Sequence, residues 1–105
     1  MAVVLALRPN CESCDVDLPP SADNARICSY ECTFCADCVD TVLHNVCPNC
    51  GGGFVPRPIR PQNAWRPGTG LVNDPPDTER RSLHYPTDDV ERLSAKLRDV
   101  APGDR

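Results

Sequence analysis

Eight cysteines are the residues here whose type and spacing could do chemistry, and all lie between Cys11 and Cys50 of the 105-residue chain. They run as Cys11-x2-Cys14, then 13 residues, Cys28-x3-Cys32-x2-Cys35-x2-Cys38, then 8 residues, Cys47-x2-Cys50. A Cys-x2-Cys pair folds into a tight turn that points two sulfurs at one place, with backbone amides nearby to stabilise their charge. Two such pairs complete the tetrahedral sulfur shell that Zn²⁺ takes in structural sites. Four pairs therefore make two sites of four cysteines each, and the expected cofactor is zinc, two ions, with Cys11, Cys14, Cys28, Cys32, Cys35, Cys38, Cys47 and Cys50 as ligands. A catalytic zinc needs an open position, and four thiolates close each site, so no enzyme activity is expected.

Two pairings use every thiol. An interleaved one sets Cys11, Cys14, Cys35 and Cys38 on one ion and Cys28, Cys32, Cys47 and Cys50 on the other. A sequential one joins Cys11 and Cys14 to Cys28 and Cys32, and Cys35 and Cys38 to Cys47 and Cys50. Spacing leaves both open. Cys32-x2-Cys35-x2-Cys38 followed by Cys47-Pro48 also echoes the ligand run of bacterial ferredoxins, which keeps an iron–sulfur alternative, although the last gap is 8 rather than 3.

The elements that must hold these thiols are weak by themselves. Aromatics are limited to Tyr30, Phe34, Phe54, Trp65 and Tyr85. A 40-residue segment this poor in large apolar side chains buries too little surface to fold unaided, so disulfides or metal must staple it. The N-terminal apolar run, Ala2 to Leu7, is short and has no cation ahead of it, unlike a secretory signal. No run approaches the ~20 apolar residues of a membrane span. A cytoplasmic location is the expectation, where thiols stay reduced and bind metal rather than pair as disulfides.

The formal charge of −4 is uneven. Residues 1–50 carry Arg8 and Arg26 against seven acids, a balance of −5, and residues 51–105 balance at +1. Two tetrathiolate zinc sites take the first half to −9. That sign repels phosphate and excludes nucleic acid as the expected partner.

Three regions follow: a cysteine module over 1–55, entered by a short strand within 1–10; a Pro/Gly-rich linker over 56–86; and an amphipathic helix over 87–101. Eight of the 12 prolines and all six glycines lie at or after Gly51, so 56–76 is expected to be extended and mobile. Arg57, Arg60 and Arg66 read as solvated linker charge. In the helix, Thr87 can cap, acids open and Lys96 and Arg98 close, and Val90, Leu93, Leu97 and Val100 form one stripe. The small module has little apolar surface to spare, so the stripe is expected to meet a protein partner or self-associate with a second chain.

The stretch Cys32-Thr33-Phe34-Cys35-Ala36-Asp37-Cys38 closed by Cys47-Pro48-Asn49-Cys50 resembles the RING finger, with Phe34 at the usual core aromatic and Cys32 where most members place His. The resemblance implies interleaved sites. The 8-residue gap leaves room for one helix, with Val39, Val42 and Leu43 on its buried face. Glu12-Ser13 after the first ligand and Gly51 after the last depart from the pattern of RING ubiquitin ligases, which counts against that activity. More closely, "LRPNCESCDVDLPP", "ARICSYECTFCADC" and "VCPNCGG" resemble small bacterial proteins of domain of unknown function 1272, over roughly Leu7 to Arg60. This implies a bacterial source and a cysteine-rich core and brings no activity. The expected fold class is a small, irregular α+β zinc-stapled module, RING-like, with a flexible Pro-rich tail and a C-terminal helix. Its expected role is protein–protein interaction; thiolate-based metal handling or redox sensing is the competing class.

Overall fold

The computed structural model describes residues 4–105. Three short strands, β1 (Ala25–Ile27), β2 (Thr33–Cys35) and β3 (Val55–Pro56), form an antiparallel sheet in the order β2-β1-β3. Ala25 faces Cys35 and Ile27 faces Thr33 across the first pair, and Ile27 faces Val55 across the second. Pro56 is tolerated in β3 because that strand is at the sheet edge, where a missing N–H leaves no ladder bond broken. The β1–β2 hairpin turns through Cys28–Cys32, where Glu31 takes a left-handed φ of 68° and its N–H donates to the Cys28 carbonyl at 3.1 Å.

The expected entry strand lies partly outside the described residues, and over 4–10 the chain forms no strand; Asn10 makes a single bridge to Asp17. After β2 the chain makes one α-helical turn, α1 (Ala36–Cys38), and passes into a π-helical turn over Val39–Leu43. The helix expected after Cys38 is therefore this wider turn. Val39 and Leu43 face the core, whereas Val42 is exposed, because a π turn does not bring i, i+3 and i+4 onto one face as an α-helix does. It ends at His44 and Asn45, both left-handed, and the Asn45 N–H closes back on the Val39 carbonyl.

The core is built around Phe34, fully buried and packed edge-to-face on Phe54 with ring centroids 5.4 Å apart. Leu18, Leu43 and Val46 are also fully enclosed, and most of the cysteines complete the cluster.

The Pro-rich segment forms little regular structure after β3, as its proline spacing predicts, but it is pinned to the module. Arg57 is 4 % exposed and donates to the carbonyls of Arg8 (2.8 Å), Leu18 (3.1 Å) and Pro19 (2.9 Å). Arg60 donates to the Asp74 and Leu5 carbonyls at 2.7 and 2.6 Å. These two arginines are thus backbone clamps rather than solvated charge, while Arg66 is exposed as expected. A planar guanidinium can bind several carbonyls that the irregular backbone leaves unpaired.

Helix α2 spans Thr87–Leu97, with Pro86 at its N-cap position and no side-chain cap bond. Part of the expected stripe packs on the module of the same chain. Val90 is 4 % exposed and joins the core, and Leu97 lies against Gly51. Ser94, one helical turn from Val90, donates from Oγ to the Leu43 carbonyl at 2.9 Å. That carbonyl, at the end of the π turn, also accepts the Val46 N–H at 3.1 Å, and the serine is its second donor. A stripe counted in apolar residues alone misses such a contact. The exposed Asp88–Arg92 pair forms at 3.3 Å and contributes little to stability. Among the described residues no helix is long and apolar enough to cross a membrane.

Candidate metal centre

Cys11, Cys14, Cys35 and Cys38 bring their sulfurs within 4.8 Å of one another, and Cys14 Sγ stands 3.7 Å from Cys35 Sγ. A tetrahedron with Zn–S bonds of about 2.3 Å has sulfur–sulfur edges of ~3.8 Å. The spacing is far beyond a disulfide bond, and all eight cysteines are free thiols. Cys28, Cys47 and Cys50 form a second group within the same limit. Cys32 lies beside that group, near enough to Cys47 and Cys28 for them to shift its thiol. The thiols are therefore grouped in the interleaved way. Cys32 precedes β2 and Cys35 ends it, so an extended strand rising about 3.3 Å per residue holds the two sulfurs apart.

The turns that aim the sulfurs repeat one design. In the first, the Asp15 N–H donates to the Cys11 carbonyl at 2.9 Å and the Cys14 N–H to Cys11 Sγ at 3.5 Å. In the last, the Gly51 N–H donates to the Cys47 carbonyl at 2.7 Å and the Gly52 N–H to Cys50 Sγ at 3.4 Å. Each turn is closed by a left-handed residue after its second cysteine, Asp15 at φ 66° and Gly51 at φ 78°. At Gly51 a Cβ would also stand 3.2 Å from Leu97 Cδ1, so a side chain there would press on that leucine besides straining the left-handed backbone. Amides also point at Cys28 Sγ from Tyr30 (3.3 Å) and at Cys35 Sγ from Cys38 (3.5 Å).

The donor chemistry fits a soft divalent cation. Burial pushes the Cys28 thiol up to about 11 and raises Cys35 and Cys38 as well. Cys47 is raised chiefly by its hydrogen bond to Cys32, while accepting that bond brings Cys32 down to about 5. The Val16 amide lowers Cys14. Thiols packed this closely cannot all ionise by themselves, because each thiolate raises the cost of the next. A divalent ion among them reverses that balance and holds all four deprotonated.

Glu12 and Asn49 are functional neighbours that the spacing could not reveal. Glu12, 6 % exposed, accepts from Arg8 at 2.9 Å and from the Thr33 N–H at 2.7 Å through Oε2. Its Oε1 accepts from Asn49 Nδ2 at 3.3 Å, and Asn49 lies near enough to Cys32 to lower its thiol. Glu12 thus links the first turn to β2 and to the second cluster. Its residue type, met in the sequence only as a departure from the RING pattern, carried no sign of this.

A two-cluster, all-cysteine α+β module is the class of protein this geometry defines. The family model described as "Protein of unknown function (DUF1272)" matches residues 4–60. An uncharacterized protein of Rhizobium meliloti (strain 1021) is 62% identical over 58 residues, covering 55% of this chain and 69% of that protein. The chain belongs to the DUF1272 family. No solved structure matches it.

Interleaving has a direct test. Cys14→Ser should disturb the cysteine Cβ shifts of Cys11, Cys35 and Cys38 and leave Cys28 and Cys32 as they were. Changes at Cys28 and Cys32 alone would refute the grouping.

Proposed function

We propose that this protein is a structural zinc protein: two ions, each held by four cysteine thiolates, staple a rigid module that presents a surface to another protein and carries out no catalysis. The observation that carries the reading is the convergence of seven of the eight thiols on two places. In this reading Cys32 completes the second shell by a small movement toward Cys28, Cys47 and Cys50. Soft sulfur ligands in a tetrahedral arrangement select zinc or iron–sulfur centres. The ferredoxin alternative needs Cys32, Cys35 and Cys38 around one cluster, whereas Cys35 and Cys38 converge with Cys11 and Cys14 and without Cys32. The acidic balance of residues 1–50 favours a protein partner over nucleic acid. A reduced, cytoplasmic setting belongs to the same reading.

Elemental analysis of the purified protein should find two zinc ions per chain, and the solution should be colourless. One metal per chain, or iron with an absorption band near ~400 nm, would contradict it in favour of an iron–sulfur protein.

One observation favours a second reading. Cys14 and Cys50 are exposed, so each group presents one sulfur to solvent. Thiolates in that position are open to oxidants, as redox-sensing zinc sites require. Zinc release by mild peroxide would assign the function to the thiolates themselves. Sites that keep zinc under the same treatment leave the scaffold reading in place.

A further inference from the structure

Residues 61–73 form a closed loop after the Arg60 clamp, beyond the residues that the family model matches. Its base is held by the Leu71 N–H on the Pro61 carbonyl at 2.9 Å and the Val72 N–H on the Gln62 carbonyl at 3.3 Å. At its apex Thr69 Oγ1 donates to the Arg66 carbonyl at 2.7 Å and Asn73 Nδ2 to the Thr69 carbonyl at 2.8 Å. Gly70 is left-handed at φ 82°, and a Cβ there would stand 2.5 Å from the Asn63 carbonyl oxygen, so the two sides of the loop meet too closely for any side chain. This fixed loop carries apolar side chains outward. Trp65 is 76 % exposed, and Val72 across the loop is exposed as well. Tryptophan is enriched among the residues that anchor protein interfaces, and a loop already ordered loses little freedom on docking.

Charge and shape elsewhere on the same chain answer that loop. Residues 51–73 hold Arg57, Arg60 and Arg66 and no acid, a balance of +3 in a chain of −4. A cleft of about 750 Å³ opens between α2 and the π turn, and Val42, Leu83, Val90 and Ala95 give it an apolar lining. Its walls are fixed. Ser94 ties α2 to the π turn. Ahead of the helix, the Asp77 and Leu83 N–H groups donate to the Leu7 and Glu12 carbonyls, and the Asn10 side chain bonds both backbone groups of Arg81. Among the described residues Arg66 forms no ion pair, and neither do Asp37 and Asp40 on the helical turns or Glu91 on α2. Arg98 on the α2 wall is the cation set against these three acids.

We infer that the chain self-associates, the Trp65–Arg66 tip of one copy entering the cleft between α2 and the π turn of a second copy. Both halves of the contact lie on one chain, and the exposed indole does not fill the cleft of its own. In the dimer the indole meets the apolar lining, and Arg66 answers the unpaired Asp40 and Glu91. Arranged about a two-fold axis, two copies make the contact twice and leave neither loop nor cleft open. The acidic modules repel each other, so the approach that brings loop to cleft is the favoured one. The inference rests on the reading of the module as a rigid interaction scaffold and names its partner.

The test uses the full chain with zinc bound, and its single tryptophan is the probe. Sedimentation equilibrium should show monomer passing to dimer between about 10 μM and 1 mM, the range of weak specific contacts. Trp65 emission should shift to the blue over the same range, as the indole leaves water. Two variants at exposed positions leave the core untouched. Trp65→Ala removes the anchor, and Ala95→Lys sets a longer, cationic side chain in the cleft. Each should weaken association at least about tenfold while keeping two zinc ions. Wild-type protein that carries two zinc ions and stays monomeric to about 1 mM overturns the docking and leaves the scaffold standing. Dimers that persist in Trp65→Ala, or that survive Ala95→Lys, overturn it too, because association then belongs to another surface. Purified protein that folds without zinc overturns the scaffold reading, and the docking with it.

Discussion

A strong chelator added to the purified protein should collapse the dispersed amide spectrum of residues 11–56 and, with it, the docking of residues 77–98. The strands are three, three and two residues long. Fixing each residue's backbone costs about 1–2 kcal/mol. Against that stands a core with one fully buried aromatic and a handful of aliphatic side chains. Structural zinc supplies about 10–16 kcal/mol in small modules, so metal and folding should be a single event. From the sequence one would expect the tail to outlast the metal. The structure changes that expectation, because Asn10, Glu12 and Leu43, which hold the tail, are positioned by the cysteine turns and by the helical turn that Cys38 anchors. The measurement is a two-dimensional amide spectrum before and after chelation, with metal content checked in the same sample. Metal-free protein that keeps its dispersion would contradict the staple outright.

Replacing Arg57 with Ala should destabilise the zinc-bound protein by about 3 kcal/mol, while the same change at Arg66 stays within roughly 0.5 kcal/mol. Arg57 is a buried cation whose charge is met by three carbonyl dipoles and by no carboxylate. Burial lowers its pKa for that reason. Its removal leaves the Arg8 and Leu18 carbonyls without their donor, leaves Pro19 with only the Ala22 N–H, and opens a space beside Leu18, itself 1 % exposed. Arg57→Lys should recover only part of the loss, because an ammonium cannot present the flat fork that reaches carbonyls on two separate stretches of chain. Arg60→Ala, which removes donors to two half-buried carbonyls, should fall between the extremes. Denaturant titrations in excess zinc give the ranking. A cost at Arg57 no larger than at Arg66 would mean that the segment after β3 is not held by this clamp.

The cysteines announce themselves because metal ligation is a local code. Residue type and a two-residue spacing are enough to form the turn, to aim two sulfurs and to supply the amides at Cys14 and Gly52. The same local reasoning predicts a helix from Pro86 onward and an irregular stretch between Pro56 and Pro86. It also identifies Phe34 as the core aromatic, through the resemblance of its surroundings to RING fingers. What no local code contains is which turn meets which. The pairing of Cys11 and Cys14 with Cys35 and Cys38 follows from β2, which keeps Cys32 and Cys35 apart, and from Glu12, whose N–H and side chain hold the first turn against Thr33. The fate of Arg57 was equally hidden, because its three acceptors lie 38 to 49 residues away along the chain. The docking of α2 depends on a carbonyl at the end of a π turn and on a serine that apolar periodicity passes over. Turn chemistry is written in neighbouring residues. Burial, pairing and the satisfaction of orphan backbone groups depend on what distant parts of the chain bring to the same place, and only the tertiary structure decides them.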